Sequence, residues 1–138
     1  MASLIVFLDA NVLFSAAVGG PAFDLIWELA RRGRVRLVTS AHCRAEAAAN
    51  IERKRPRSAA GLERALAEVA LTREPASSLV DAARRLLPEK DAPVLAAALE
   101  AGADVLITGD LKHFGVLMER DDLPLRVRPP RAFLLEGP

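Results

Sequence analysis

Two stretches of this sequence end in the same way, and together they narrow the fold more than anything else in it. Leu4-Ile-Val-Phe-Leu8 is an unbroken apolar run rich in strand formers that stops abruptly at Asp9. Asp104-Val-Leu-Ile-Thr108 repeats the event, passing through Gly109 into Asp110. A strand wetted on one face alternates apolar and polar residues, whereas an unbroken run reads as a strand buried on both faces, the mark of a parallel sheet covered by helices. If the two strands are parallel neighbours, both Asp side chains stand on one edge of that sheet.

The residues between supply the helices. Val12, Leu13 and Ala16 are spaced as one helix face up to Gly19-Gly20-Pro21. Phe23, Ile26, Trp27 and Ala30 form a second, closed by Arg31, Arg32 and Gly33, and Val35–Thr39 is a second strand. Ser40 stands at an N-cap position before an Ala-rich helix from Ala41 to about Arg53. Pro56 stops it, and Ser58 caps a further helix from about Ala59 to Ala70. Pro75 to Ser78 is a break, and Leu79–Leu87 is helical. Asp91 caps or opens the next helix, where Pro93 is tolerated because the first turn has no intrahelical N–H bond to lose. Gly102 ends it, a weaker strand lies around Leu125–Val127, and Ala132–Leu135 is a last apolar piece.

Alternating strands and helices predict an α/β fold: a three-layer α/β/α sandwich with a mostly parallel central sheet. With 138 residues, 51% hydrophobic and 27% charged, the chain fits one globular domain over 1–138 with a core of its own. No apolar stretch approaches the ~20 residues of a membrane span. Met1-Ala2-Ser3 puts no basic residue before the apolar run, so no secretory leader is expected and the cytoplasm is the expected location. The lone Cys43 excludes an internal disulfide and a cysteine metal cluster and reads as a small core residue, while Trp27 reads as a core or interface anchor. The net charge is +1, but cations cluster at Arg31, Arg32, Arg34 and Arg36, and again at Arg53, Lys54, Arg55 and Arg57. Such clusters either grip a nucleic-acid backbone or merely solvate helix ends.

In open α/β sheets the ligand site lies beyond the carboxyl ends of the strands. Asp9 and Asp110 stand there, Asp91 opens a helix, and Glu46 sits in the Ala-rich helix whose Ala45, Ala48 and Ala49 allow a close neighbour. Carboxylates crowded in a cleft resist ionisation, and a divalent cation removes that conflict. An oxygen-rich, histidine-poor set suits Mg²⁺ or Mn²⁺.

With these residues the sequence resembles the PIN-domain family over nearly its whole length. LIVFLDANVLFSA looks like the family's first strand and acid, and Ser40 followed by Glu46 is similar to the helix that supplies the second. EKDAPVLAAALEAGADVLITGDLKHF resembles the segment that delivers the third and fourth acids, and PPRAFLLEG is similar to the closing strand. The resemblance implies an Mg²⁺- or Mn²⁺-dependent endoribonuclease with Asp9, Asp91 and Asp110 as metal ligands and Glu46 as a ligand or metal–water partner. Asn11, Thr108 and Ser40 would support them through hydrogen bonds. It also implies an RNA substrate, a homodimer, and for many bacterial members a small antitoxin protein as partner.

One departure bears on the metal count. Where the family often carries another acid soon after the fourth, Lys112, His113 and Phe114 stand here, so one divalent site is expected and the second position lacks its acid. Arg53, Lys54, Arg55, Lys112 and His113 are candidate RNA contacts. His113 reads as a loop residue, and His42, one turn before Glu46, as a packing or supporting residue. The competing reading is a non-catalytic module that binds RNA or protein. An aspartyl-phosphate chemistry at Asp9 is disfavoured because Asn11 stands where it wants a second acid.

Overall fold

A computed structural model describes residues 3–138 of the chain. Met1 and Ala2, on which the expected lack of a leader partly rests, lie outside the described residues. The elements run β1 (Leu4–Leu8), α1 (Ala10–Val18), α2 (Pro21–Arg31), β2 (Val35–Thr39), α3 (Ala41–Lys54), α4 (Ala59–Leu66), β3 (Ala70–Leu71), α5 (Ser77–Arg84), α6 (Ala92–Glu100), β4 (Val105–Ile107), α7 (Leu111–Met118), β5 (Arg126–Arg128) and α8 (Pro130–Glu136). The five strands form one sheet in the order β3-β2-β1-β4-β5, and every pairing is parallel. Helices flank it, giving the expected α/β/α layering.

The reason is visible in the strands. Val6, Phe7 and Leu8 of β1 and all of β4 are wholly buried, because parallel strands joined by crossover helices are covered on both faces. The edge strand β5 alternates instead, with Val127 in and Arg126 out. From β1 the chain adds β2 and β3 on one side, then crosses to β4 and β5 on the other. The direction of winding therefore reverses between β1 and β4, and there the carboxyl ends of two strands open a crevice.

Helix packing sets the walls of that crevice. α1 packs against α3 and α4, and α5 against α6. α6 is almost entirely buried, from Ala92 and Val94 through Ala98, and its alanines let it lie close to the neighbouring elements. Trp27 is buried as an anchor, its indole N–H donating to the Ala65 carbonyl at 3.0 Å. Gly61 of α4 faces the backbone of α1 so closely that a Cβ there would lie 2.3 Å from the Ala17 carbonyl oxygen. No single described helix is long and apolar enough to cross a membrane, and α1 with α2, which together pass a composition test, are bent by 103°.

Several local readings are corrected. The stretch expected to stay helical to Ala70 ends at Leu66, and Ala70–Leu71 pairs with β2 as an edge strand too short to show a period. Ser58 makes no side-chain capping bond. α7 went unread, and the closing PPRAFLLEG is not a strand but the helix α8. In α3 the inward face is Cys43, Ala47 and Ile51, whereas Ala45, Ala48 and Ala49 are exposed, and so is His42, expected as a packing or supporting residue.

Candidate active site

Leu8 and Ile107 are partners in the β1–β4 ladder, so the residues that follow, Asp9 and Thr108, leave the sheet side by side. The Asp9 amide donates to the Ile107 carbonyl at 3.1 Å, which carries the pairing one residue beyond the strands. Asp9 is buried and its two oxygens face different tasks. Oδ1 accepts from the Ala10 amide at 2.7 Å and caps α1, while Oδ2 accepts the Thr108 hydroxyl at 2.7 Å and the Asn11 amide at 3.2 Å.

Asn11 and Thr108 stitch the two strand ends together. The Asn11 side-chain oxygen accepts from the Gly109 amide at 2.8 Å, and Thr108 Oγ1 accepts from Asn11 Nδ2 at 3.3 Å and from the Asp110 amide at 3.1 Å. A Cβ at Gly109 would crowd Asn11 Oδ1 at 3.3 Å, so glycine lets the turn lie against it. Asp110 then caps α7, its Oδ1 accepting from the His113 amide at 3.1 Å and its Oδ2 taking His113 Nδ1 at 2.8 Å.

Asp91 behaves differently from an ordinary cap. It opens α6 in a helical conformation and its carboxylate makes no capping bond. Its Oδ2 is buried without a hydrogen-bond partner, 3.4 Å from His113 Nδ1. Ligand atoms of Asp91, Asp110 and His113 lie within 4.8 Å of one another. Asp9 and Glu46 line the same cleft, of about 260 Å³, without joining that tight group. Glu46 is exposed on α3, with Asn50 and Lys54 following at one-turn intervals along the same wall, and Lys90 also lines the cleft.

The expected residues therefore divide. Asp9, Glu46, Asp91 and Asp110 share one cleft, and Asn11 and Thr108 bond directly to Asp9. Ser40 bonds to none of the acids; it caps α3 by accepting the Cys43 amide at 3.1 Å and so fixes the helix that carries Glu46. Lys54 reaches the cleft wall, while Arg53 is turned to Asn50 at 2.9 Å and Arg55 and Lys112 are exposed outside the lining. Arg31 and Arg32 pair with Glu28, and Arg31 also with Glu68, as a solvated helix end does. His113, expected in a loop, stands in the first turn of α7 among the acids. Asn50 and Lys90 were missed, although Asn50 follows Glu46 at i+4 and Lys90 adjoins Asp91.

The family model described as PIN domain matches residues 5–112. The chain belongs to the PIN-domain family. Among solved structures, this PIN domain is similar to the VapBC2 complex of Rickettsia felis bound to a promoter DNA fragment, with 17% identity, a TM-score of 0.69, and 90% of this chain and 97% of that one covered. It is likewise similar to VapBC-1 of nontypeable Haemophilus influenzae, at 21% identity and a TM-score of 0.65 over 93% and 99% of the two chains. A third is VapC20 of Mycobacterium tuberculosis, a toxin that cleaves the sarcin–ricin loop, at 15% identity and 0.54 over 78% and 91%. At such identities the likeness is one of fold. No curated protein sequence matches significantly.

The electrostatics of this PIN domain set its two strand-end acids apart. Burial pushes the Asp9 carboxyl above the usual range; the Thr108 and Ala10 bonds pull it down, and Glu46 and Asp91 push it up again. Burial also pushes Asp110 up, but the two bonds from His113, the His113 charge and Lys90 outweigh it and hold Asp110 below the usual range. Cys43 lies with its Sγ 3.8 Å from Asp9 Oδ1, and burial together with the Asp9 charge pushes its thiol up to about 12. The thiolate is the reactive form, so Cys43 should resist a thiol-specific disulfide reagent at neutral pH in the folded protein and titrate fully in denaturant. Rapid labelling of native protein would contradict this burial.

Proposed function

We propose that this PIN domain is a single-domain, divalent-metal-dependent endoribonuclease whose site is Asp9, Glu46, Asp91 and Asp110. The observation that carries the reading is Asp91 Oδ2, a carboxylate oxygen buried among other acids without a hydrogen-bond partner. Leaving a buried acceptor unsatisfied costs about 1–3 kcal/mol, more when it is charged. A hard cation satisfies it, and the oxygen-rich donor set around it fits Mg²⁺ or Mn²⁺. When bound, such an ion polarises a phosphoryl oxygen and makes an attacking water more acidic.

The chain's own residues do the rest. Asp91 and Asp110 hold the ion, and Asp9 adds its ionised Oδ2, steered by Thr108 and Asn11. Glu46, exposed across the cleft, takes the proton of the attacking water. Lys54 and Lys90 draw the RNA backbone over the acids by charge. In the cell we propose a cytoplasmic homodimer, acting as the toxin of a toxin–antitoxin pair held by a small antitoxin, or as a stand-alone relative. That two of the similar folds are described as VapBC complexes and a third as an RNA-cleaving toxin supports this reading. Incubating the purified chain with single-stranded RNA and Mn²⁺ should yield fragments, and a chelator should stop the cutting. If Mn²⁺ does not bind while all four acids are intact, the reading as a non-catalytic binding module replaces this one.

The raised Asp9 carboxyl gives the reading a pH signature. With its folded value above the unfolded one, Asp9 in the ion-free protein holds its proton more tightly folded than unfolded, so the stability it contributes falls as pH rises through that window. An ion favours the ionised form and offsets this loss, so the gain in Tm on adding Mn²⁺ should be larger at about pH 7.5 than at about pH 5. Equal gains at both would contradict it.

A further inference from the structure

We infer that His113 is itself a ligand of the divalent ion, through Nδ1, so that the site has a mixed nitrogen and oxygen donor set and favours transition ions over Mg²⁺. This deepens the metal-dependent reading and rests on it. Three observations give His113 a role in that site. Its Nδ1 lies 2.8 Å from Asp110 Oδ2 and 3.4 Å from Asp91 Oδ2, two carboxylates that line the cleft. Adjacent donors about 2.1 Å from an octahedral ion are about 3 Å apart, so these separations fit neighbouring positions around one ion. The third observation is Asp91 itself: 9% exposed, with Oδ2 buried and unpartnered beside Nδ1, it is an oxygen that the hydrogen bonds of the fold leave free.

The chemistry follows from the donor. A neutral imidazole has one N–H and one lone pair. The proton that Nδ1 donates to Asp110 moves to Nε2 through solvent on ligation, or is released to solvent where the imidazole is doubly protonated. The freed Nδ1 lone pair goes to the ion, so that the hydrogen bond to Asp110 is exchanged for a shared ligand position. Mg²⁺ binds oxygen and keeps its waters, whereas first-row transition ions accept imidazole readily. Replacing one acid by histidine also removes a negative charge, which lowers the attraction for a hard ion specifically.

The sequence makes the test clean, since its two histidines are His42 and His113 and His42 is exposed on α3. Full-length protein loaded with Mn²⁺ alone should show imidazole ¹⁴N coupling in pulsed electron paramagnetic resonance. The coupling should survive His42→Ala and vanish in His113→Ala and His113→Asp. In His113→Asp, the Mg²⁺ concentration that displaces Mn²⁺ should fall by at least about tenfold, the lower end of the loss caused by removing even an outer partner of a metal ligand. Mn²⁺ bound to the parent without nitrogen coupling overturns the role of His113 and leaves the carboxylate site standing. No Mn²⁺ binding by the parent overturns both.

Discussion

Asp9→Asn and Asp110→Asn should each slow RNA cutting by about a thousandfold or more, the rate equivalent of about 4 kcal/mol of lost charge stabilisation, while the protein stays folded. The separation of the two effects comes from the way each carboxylate is used. One oxygen of Asp9 caps α1 and one oxygen of Asp110 caps α7, and Asn is as good an N-cap as Asp. What Asn removes is the negative charge, and it turns the second carboxylate oxygen, at Asp9 the acceptor from Thr108 and Asn11, into an NH2 donor. Burial disfavours the Asp9 charge, but the amide nitrogen of the Asp9→Asn side chain would face the Thr108 and Asn11 donors, so the ion-free variant should lose about 1–3 kcal/mol of stability while still folding. Initial rates on single-stranded RNA with Mn²⁺, beside thermal melts without it, measure both. If the double variant cuts as fast as the parent, the site lies elsewhere; if the variants unfold, capping rather than charge is their main contribution.

The largest structural effect is expected at Gly61. A Cβ there would lie 2.3 Å from the Ala17 carbonyl oxygen, and a main-chain atom of α1 has no rotamer through which to yield. α4 and α1 must separate, so Gly61→Ala should cost about 3 kcal/mol, the upper part of the range for overpacking. That corresponds to a fall of roughly 10 °C in Tm for a domain of this size. Gly115→Ala is the matched control: the glycine is helical, in α7, and an added Cβ meets nothing within 4 Å. That change should instead stabilise by about 0.4–1 kcal/mol through the unfolded chain. Because α1 begins beside Asp9, Gly61→Ala should also reduce cutting, and Gly115→Ala should not. Equal denaturation midpoints for the two variants would refute the close approach of α1 and α4.

How much of this was legible depended on whether the decisive contact is local. β1 and β4 could be read because burial on both faces writes itself into the residue pattern, and Asp9 and Asp110 followed from where those strands stop. Ser40 was legible as a cap because capping is a contact over three residues. β3 was not, since two residues of edge strand carry no period and Ala70 alone favours a helix. The faces of α3 were misjudged because alanines mark a helix without marking its buried side; Cys43 and Ile51 did that. His113 was the costliest misreading. Its place depends on α7 starting at once after Asp110, and on a carboxylate 22 positions earlier whose orientation no spacing rule supplies.

The division of labour within the carboxylates has a further consequence. With Asp9 held by Ala10, Thr108 and Asn11, and Asp110 held by His113, the rotational freedom of these side chains is already spent when the chain folds. A ligand arriving at the cleft therefore meets two acids already held in place, and the adjustment it demands falls on Asp91 and the exposed Glu46.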